Sequence, residues 1–267
     1  MKTGYFNNKY LKLTNATLYV LLAPVLFLKS HFLFRNIKSK KLLSGLDVMV
    51  LGSSSNPRLP RNFKKLTLVC CNASAANAKA LKLQSVYITV VDNEVIDPKI
   101  AFEKKARRDI LRKNLLKDIY LGYLFAVQSN PAKGGSPSLL GAKYNEFAEI
   151  DIKTRRKIIK SVSFISEIDS RPDLLTSTGG FAVAFAFFLG AKSVTISGFT
   201  FLESSKSYFF SKNKNLSKNK INTRSHSLAD SLLFSSLASA GYKIYSEEPE
   251  ILPLLQNWGN SSKVLHH

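Results

Sequence analysis

Six short runs constrain the fold more than any other feature of the chain: DVMVLG (47–52), LTLVCCN (66–72), VYITVVD (86–92), SVSFIS (161–166), SVTISGF (193–199) and YKIYS (242–246). Most are rich in β-branched residues and apolar without interruption. A strand with one wet face alternates apolar and polar residues, so runs lacking that alternation are expected where both faces are covered, as in a parallel sheet flanked by helices. The pattern predicts an α/β fold, a Rossmann-like and mostly parallel sheet with helices on both faces. Between the runs, 99–128 reads as a long basic amphipathic helical stretch and 130–143 (NPAKGGSPSLLGAK) as an exposed Pro/Gly/Ser loop. A chain of 267 residues suits one such domain with appendages, at about 100–200 residues per domain. Cys70 and Cys71 are adjacent within an apolar run, where a strand sends them to opposite faces. Neither a disulfide framework nor a zinc site can be read from them, which points to a reducing, cytoplasmic setting.

Residues 1–44 differ in kind, with eight Lys/Arg and no Asp/Glu surrounding the apolar run ATLYVLLAPVLFLKSHFLF (16–34). Its uninterrupted core, 16–28, falls short of the roughly 20 residues that span a bilayer, Pro24 breaks it, and no small-residue cleavage site follows. A monotopic or re-entrant membrane-associating segment is expected, followed by a main domain over 45–267. Lys29, Arg35, Lys38, Lys40 and Lys41 follow the run, against Lys2, Lys9 and Lys12 before it, which puts that domain on the cytoplasmic side. A buried core helix with a basic rim is the competing reading. The formal net charge of +21 implies an anionic partner, whether membrane, substrate or nucleic acid. The charge is spread over a terminal segment, a helical stretch and a loop, and no RNP, zinc-finger or helix-turn-helix pattern is present, so nucleic acid is the disfavoured partner.

Three places could carry chemistry. LGSSSNP (51–57) directly follows the first strand, and a small-residue turn at a strand's carboxyl end lets backbone amides approach a phosphate. An ordinary β-to-α turn would use the same residues. In LTSTGGFAVAFAFFLGAKSVTISGF (175–199), a hydroxyl- and glycine-rich turn opens an Ala/Phe helix capped by Ser177 or Thr178 and stopped at Gly190. The helix start presents free amides and a positive dipole end, though plain capping explains the same turn. Finally, 206–224 holds six Lys/Arg and no acid, and His226 follows it. Ser227 and Asp230 are spaced as a capping box for a helix over 228–240 closed by Gly241. A histidine at that helix start would be held neutral by the dipole, as a base requires, but taken alone a histidine beside a cap is structural or incidental more often than catalytic.

In order and spacing, the stretches at 47–72 and 177–201, SYFF (207–210) and SHSLAD (225–230) resemble the bacterial sialyltransferases of glycosyltransferase family 42, which modify lipooligosaccharide. The resemblance covers roughly 47–253 and is densest at 177–198 and around His226. It implies a modified GT-A fold, a CMP-N-acetylneuraminate donor, no metal or other cofactor, and inversion at the anomeric carbon. His226 then matches the family's general base, and Tyr208 the tyrosine that donates to the leaving phosphate. Asn72 matches a nucleotide contact, and Thr178 with Gly179 the contact to the cytidine ribose. Gly52, Ser53, Ser177, Ser197, Gly198 and Arg171 complete the expected nucleotide-sugar site, with 203–225 as a lid. The chain departs from the family at Ser53 (family asparagine), Leu202 (a second phosphate-binding tyrosine), Thr200 (an acid) and Leu175 (an arginine).

The expected partners are therefore a nucleotide-sugar donor, a glycan or glycolipid acceptor and an anionic membrane surface, with homo-oligomerisation left open. The expected location is the cytoplasmic face of the inner membrane. Three rival readings stand beside this one: a magnesium-dependent pyrophosphokinase of a related domain, an inactive family member, and a basic nucleic-acid-binding protein.

Overall fold

The computed structural model describes residues 35–38, 40–54, 56–72, 74–75, 78, 81–82, 86–93, 120–128, 143–163, 175–199, 223–249, 251–252 and 255. Seven strands form one sheet: β1 (Asp47–Leu51), β2 (Thr67–Cys71), β3 (Val86–Asp92), β4 (Tyr120–Val127), β5 (Lys143–Ile150), β6 (Ser193–Ser197) and β7 (Ile244–Ser246). Every pairing is parallel, in the order β5-β4-β3-β2-β1-β6-β7. The predicted α/β sheet is therefore present. The order runs outward from β1 in both directions, so the switch point lies between β1 and β6, where sheets of this kind bind ligands at the strands' carboxyl ends.

Both faces are covered, as the unalternating runs require. Val48, Val50, Val69, Cys71, Ile88 and Val90 face a core shared with helices, while Met49, Leu51, Leu68 and Cys70 face a second core with Ala75 and Ala78. The adjacent cysteines thus fall in separate cores as free thiols, and burial pushes the Cys70 thiol up to about 12. Helices α1 (Ile152–Ser163), α2 (Thr178–Phe188) and α3 (Thr223–Ser239) pack against one another over the first of these cores. Helix α2 is apolar all round and almost wholly buried, as befits one lying on the sheet beneath α1 and α3. Phe181, Phe185 and Phe188 stack along it, and Phe125 of β4 meets Phe185 edge to face. Ile37 and Leu43, which precede β1, are also buried in this first core.

Three expectations are corrected. Residues 161–163 close helix α1 and are not a strand. Ile158, Ile159 and Val162 recur at helical spacing on its buried side, and the Asp151 carboxylate accepts the Thr154 amide at its start. Residues 120–127, placed in the basic helical stretch, form β4, which pairs with β3 and β5 and buries Leu124, Phe125, Ala126 and Val127. Lys143, expected at the end of a loop, begins β5, whose mixed pattern reflects a sheet edge. Residues 99–119, residues 130–142 of the loop, the 16–34 run and the 203–222 part of the expected lid lie outside the described residues, while 223–225 of that lid are helical. No helix among the described residues is long and apolar enough to cross a membrane.

Candidate active site

Two clusters meet at the carboxyl edge of the sheet. The first is the crossing of the β1 and β6 ends. Gly52 donates to Ser197 O at 2.8 Å, Ser54 to Gly198 O at 3.0 Å, and the Ser197 hydroxyl to Arg58 O at 2.7 Å. Gly198 has φ +72, and a Cβ on Gly52 would lie 2.3 Å from Gly198 O, so the two loops cross because both residues lack side chains. Glu248, a residue for which the sequence reading assigned no role, closes the crossing by accepting the amides of Gly198 (2.7 Å) and Arg58 (3.0 Å) through Oε1. Asn72 adopts φ +48 at the end of β2, a region asparagine tolerates, and its Oδ1 accepts the Asp92 amide at 2.8 Å. Its side chain therefore ties β2 to β3 at the edge where a nucleotide contact was expected.

The second cluster surrounds the start of α2. Ser177 is the N-cap, its hydroxyl accepting the Gly180 amide at 2.9 Å, as one of the two expected caps. Thr178 and Gly179 are the first two helical residues, whose amides have no intrahelical acceptor. The Phe199 ring joins the clusters: a Cβ on Gly52 would lie 2.9 Å from it, and one on Gly179 2.6 Å.

Helix α3 begins at Thr223, so the expected capping box at Ser227 and Asp230 is overturned. Asp230 lies well inside the helix and reaches across to Ser177, accepting its amide at 2.9 Å through Oδ1 and its hydroxyl through Oδ2. His226, in the first turn of α3, places Nδ1 2.5 Å from Leu175 O. A carbonyl can only accept, so Nδ1 carries the proton, and in the neutral ring Nε2 is left as the acceptor, the form a general base needs. The half-buried ring thus sits within the helix and against the segment before α2.

Arg155 of α1 also reaches that segment. Its Nη2 donates to Thr176 O, to Thr176 Oγ1 at 3.1 Å and to Ser177 O at 3.1 Å, and its guanidinium lies 5.3 Å from the centre of the Phe181 ring. Both ions are almost dry. Burial pushes the Asp230 carboxyl up to about 6, against the pull of the Ser177 hydrogen bonds and the charges of His226 and Arg155. Burial likewise lowers Arg155 to about 10, with Asp92 and Asp230 pulling it back up. Neither Arg155 nor the cross-helix role of Asp230 was expected. Arg155 did leave a signal: it precedes Ile158, Ile159 and Val162 by three, four and seven residues, which puts a cation on the apolar side of the helix.

The structure therefore brings together His226, Ser177, Thr178 and Gly179 around one turn, with Gly52, Ser53, Ser197 and Gly198 at the adjoining switch point. Tyr208 and Arg171 lie outside the described residues, as do Thr200 and Leu202. No group of three or more His, Cys, Asp or Glu side chains placed to hold a metal occurs among the described residues.

No family model matches the chain, and no curated protein matches it. Among solved structures it is similar to the sialyltransferase CstII of Campylobacter jejuni. In complex with the substrate analogue CMP-3FNeuAc, that protein shares 16% identity over 83% of this chain and 88% of its own, with a TM-score of 0.51. In complex with cytidine-5'-monophosphate, the figures are 15% identity, 82% of this chain, 89% of that chain and a TM-score of 0.50. The likeness is one of fold: this chain has the GT-A-like α/β architecture of those sialyltransferases, at a sequence distance that makes the match remote.

Proposed function

We propose that the protein is an inverting, metal-independent glycosyltransferase that moves sialic acid or a related acidic sugar from a CMP-activated donor to a hydroxyl of a cell-surface glycan. The observation that carries this reading is the His226 ring, whose Nδ1 bond to Leu175 O leaves Nε2 as an acceptor beside the N-terminal turn of α2. The sialyltransferase-like fold, whose CstII examples were solved with CMP and CMP-3FNeuAc, supports the donor class.

In this reading Nε2 of His226 removes the proton of the acceptor hydroxyl as its oxygen attacks the anomeric carbon, while the bond from that carbon to the CMP phosphate breaks. The departing phosphate gathers negative charge, and donors aimed at it lower the barrier. Tyr208 supplies one such donor. Thr178 and Gly179 hold the cytidine ribose at the positive end of α2, with Gly52, Ser53, Asn72, Ser177, Ser197, Gly198 and Arg171 forming the rest of the nucleotide-sugar site. The basic 203–222 segment, which leads into α3, closes over a donor that carries both phosphate and carboxylate, and excludes water that would otherwise hydrolyse it. The apolar run at 16–34 and the basic residues around it keep the enzyme at the cytoplasmic face of the inner membrane, near a glycolipid acceptor.

Replacing His226 with alanine tests the mechanism. Turnover should fall by about 10² to 10⁴, while CMP still raises the melting temperature as in the parent. Parental turnover in that variant defeats the assignment of the base. Transfer abolished by EDTA and restored by magnesium or manganese would replace the metal-independent mechanism with a metal-dependent one.

A further inference from the structure

We propose that Asp230 is a positioning residue: by holding the segment Leu175–Ser177 it keeps Leu175 O against Nδ1 of His226, and so sets which imidazole nitrogen is free to take a proton. The proposal rests on the reading of His226 as the base, but the arrangement that carries it is independent of any substrate. His226 and Asp230 are four residues apart on α3, one turn along the same side. Both reach the same three-residue segment. His226 bonds Leu175 O at 2.5 Å, and Asp230 accepts the Ser177 amide at 2.9 Å together with the Ser177 hydroxyl. Arg155 of α1 holds Thr176 O and Ser177 O.

Ser177 O accepts the Phe181 amide at 2.9 Å as the first bond of α2, but Leu175 and Thr176 precede the helix and belong to no sheet ladder. Side chains hold that part of the segment instead. A further observation shows that room has been made for the carboxylate: a Cβ on Gly180 would lie 2.0 Å from Asp230 Oδ1 and 2.6 Å from its Cγ. Gly180 is thus the residue that admits Asp230 to the start of α2. Ser177 then links the two, accepting the Gly180 amide and donating to Asp230.

A carboxylate 4% exposed and a guanidinium 2% exposed are a costly way to hold a turn, because desolvation can exceed the attraction between buried charges. A serine cap alone would hold α2. What the ion cluster adds is a fixed distance between a turn in one part of the chain and a histidine about fifty residues away. In water the neutral imidazole exchanges between two tautomers. Here a lone carbonyl selects the form protonated on Nδ1, provided that carbonyl does not move.

The test is a two-bond ¹⁵N–¹H correlation of the imidazole rings in the full chain at pH 8, with His226→Gln used to identify the His226 signals. The parent should show His226 protonated on Nδ1. Asp230→Ala should convert at least half of the population to the Nε2-protonated form and lower kcat by about 10-fold or more, with a smaller change in donor KM. Asp230→Asn keeps an oxygen for the Ser177 amide and should restore most of the parental tautomer and rate. If Asp230→Ala does not fold, Ser177→Ala removes the hydroxyl leg alone and should still produce a detectable Nε2-protonated fraction. A folded Asp230→Ala, or in its place Ser177→Ala, with His226 protonated solely on Nδ1 overturns the proposal. That readout needs no turnover, so it stands apart from the alanine test of His226 as the base.

Discussion

The two clusters at the carboxyl edge of the sheet are held in opposite ways. Where β1 and β6 end, backbone crosses backbone: Gly52 and Gly198 pass in contact, and amides and carbonyls satisfy one another across the gap. Where α2 begins, an arginine, an aspartate and a histidine from two other helices converge on three residues that lack regular structure. The first arrangement needs residues without side chains, and its cost is conformational. The second needs charges removed from water, and its cost is desolvation. Immobility has therefore been achieved at the switch point by omitting atoms and at the turn by importing them. Phe199, packed against Gly52 and Gly179, is where the two solutions touch.

Three measurements can break or sharpen this contrast. The largest effect is expected from Arg155→Met, which removes the donor to Thr176 O and Ser177 O and leaves Asp230 without its buried cation. The loss should be about 3–5 kcal/mol, read from the denaturant midpoint. A loss below about 1 kcal/mol would mean that the turn does not depend on its ions. Gly52→Ala comes next, at about 2–3 kcal/mol, because the new Cβ meets backbone atoms of Gly198 that no rotamer change can clear. A neutral Gly52→Ala would show that the crossing is looser than its geometry.

The smallest effect is on pH dependence. Burial raises the Asp230 carboxyl to about 6, so between roughly pH 4 and 6 the folded chain takes up a proton that the unfolded chain does not. The contribution of this group to stability therefore increases as pH falls through 6, opposite to that of a carboxylate whose pKa is depressed by folding. Asp230→Asn removes this dependence. Between pH 7 and 5 the stability of the parent should improve relative to that variant by about 1 kcal/mol, measured by urea unfolding. A difference of the other sign would place Asp230 among ordinary stabilising carboxylates.

The same contrast explains what could be read in advance. β1, β2, β3 and β6 announce themselves as largely apolar runs and β7 as a short run around Ile244 and Tyr245, and the glycines of the crossing sit visibly at the ends of two of them. Local pattern reaches that far because the relevant physics is local. β4 was hidden by the basic residues before it, and β5 by the mixed composition of a sheet edge. Ser-x-x-Asp at 227–230 has the spacing of a capping box, yet the chain enters α3 one turn earlier and the carboxylate is used elsewhere. His226 was singled out from its place beside that helix, but its partner, Leu175 O, lies 51 residues away, and the Ser177 partner of Asp230 lies 53 away. No periodicity encodes a contact at that separation. Only the cation on the buried side of α1 hinted that something charged waited inside.

The neighbouring cysteines have a practical consequence. Because Cys70 and Cys71 point into different cores, the single-cysteine chains Cys71→Ser and Cys70→Ser each carry one thiol that a labelling reagent can reach only when its own side of the sheet opens. Rates of modification in the two chains then clock the opening of the two faces separately, from positions one residue apart. The side carrying α2 and the side carrying Ala75 and Ala78 can so be ranked as cooperative units, using sulfur atoms the chain already holds.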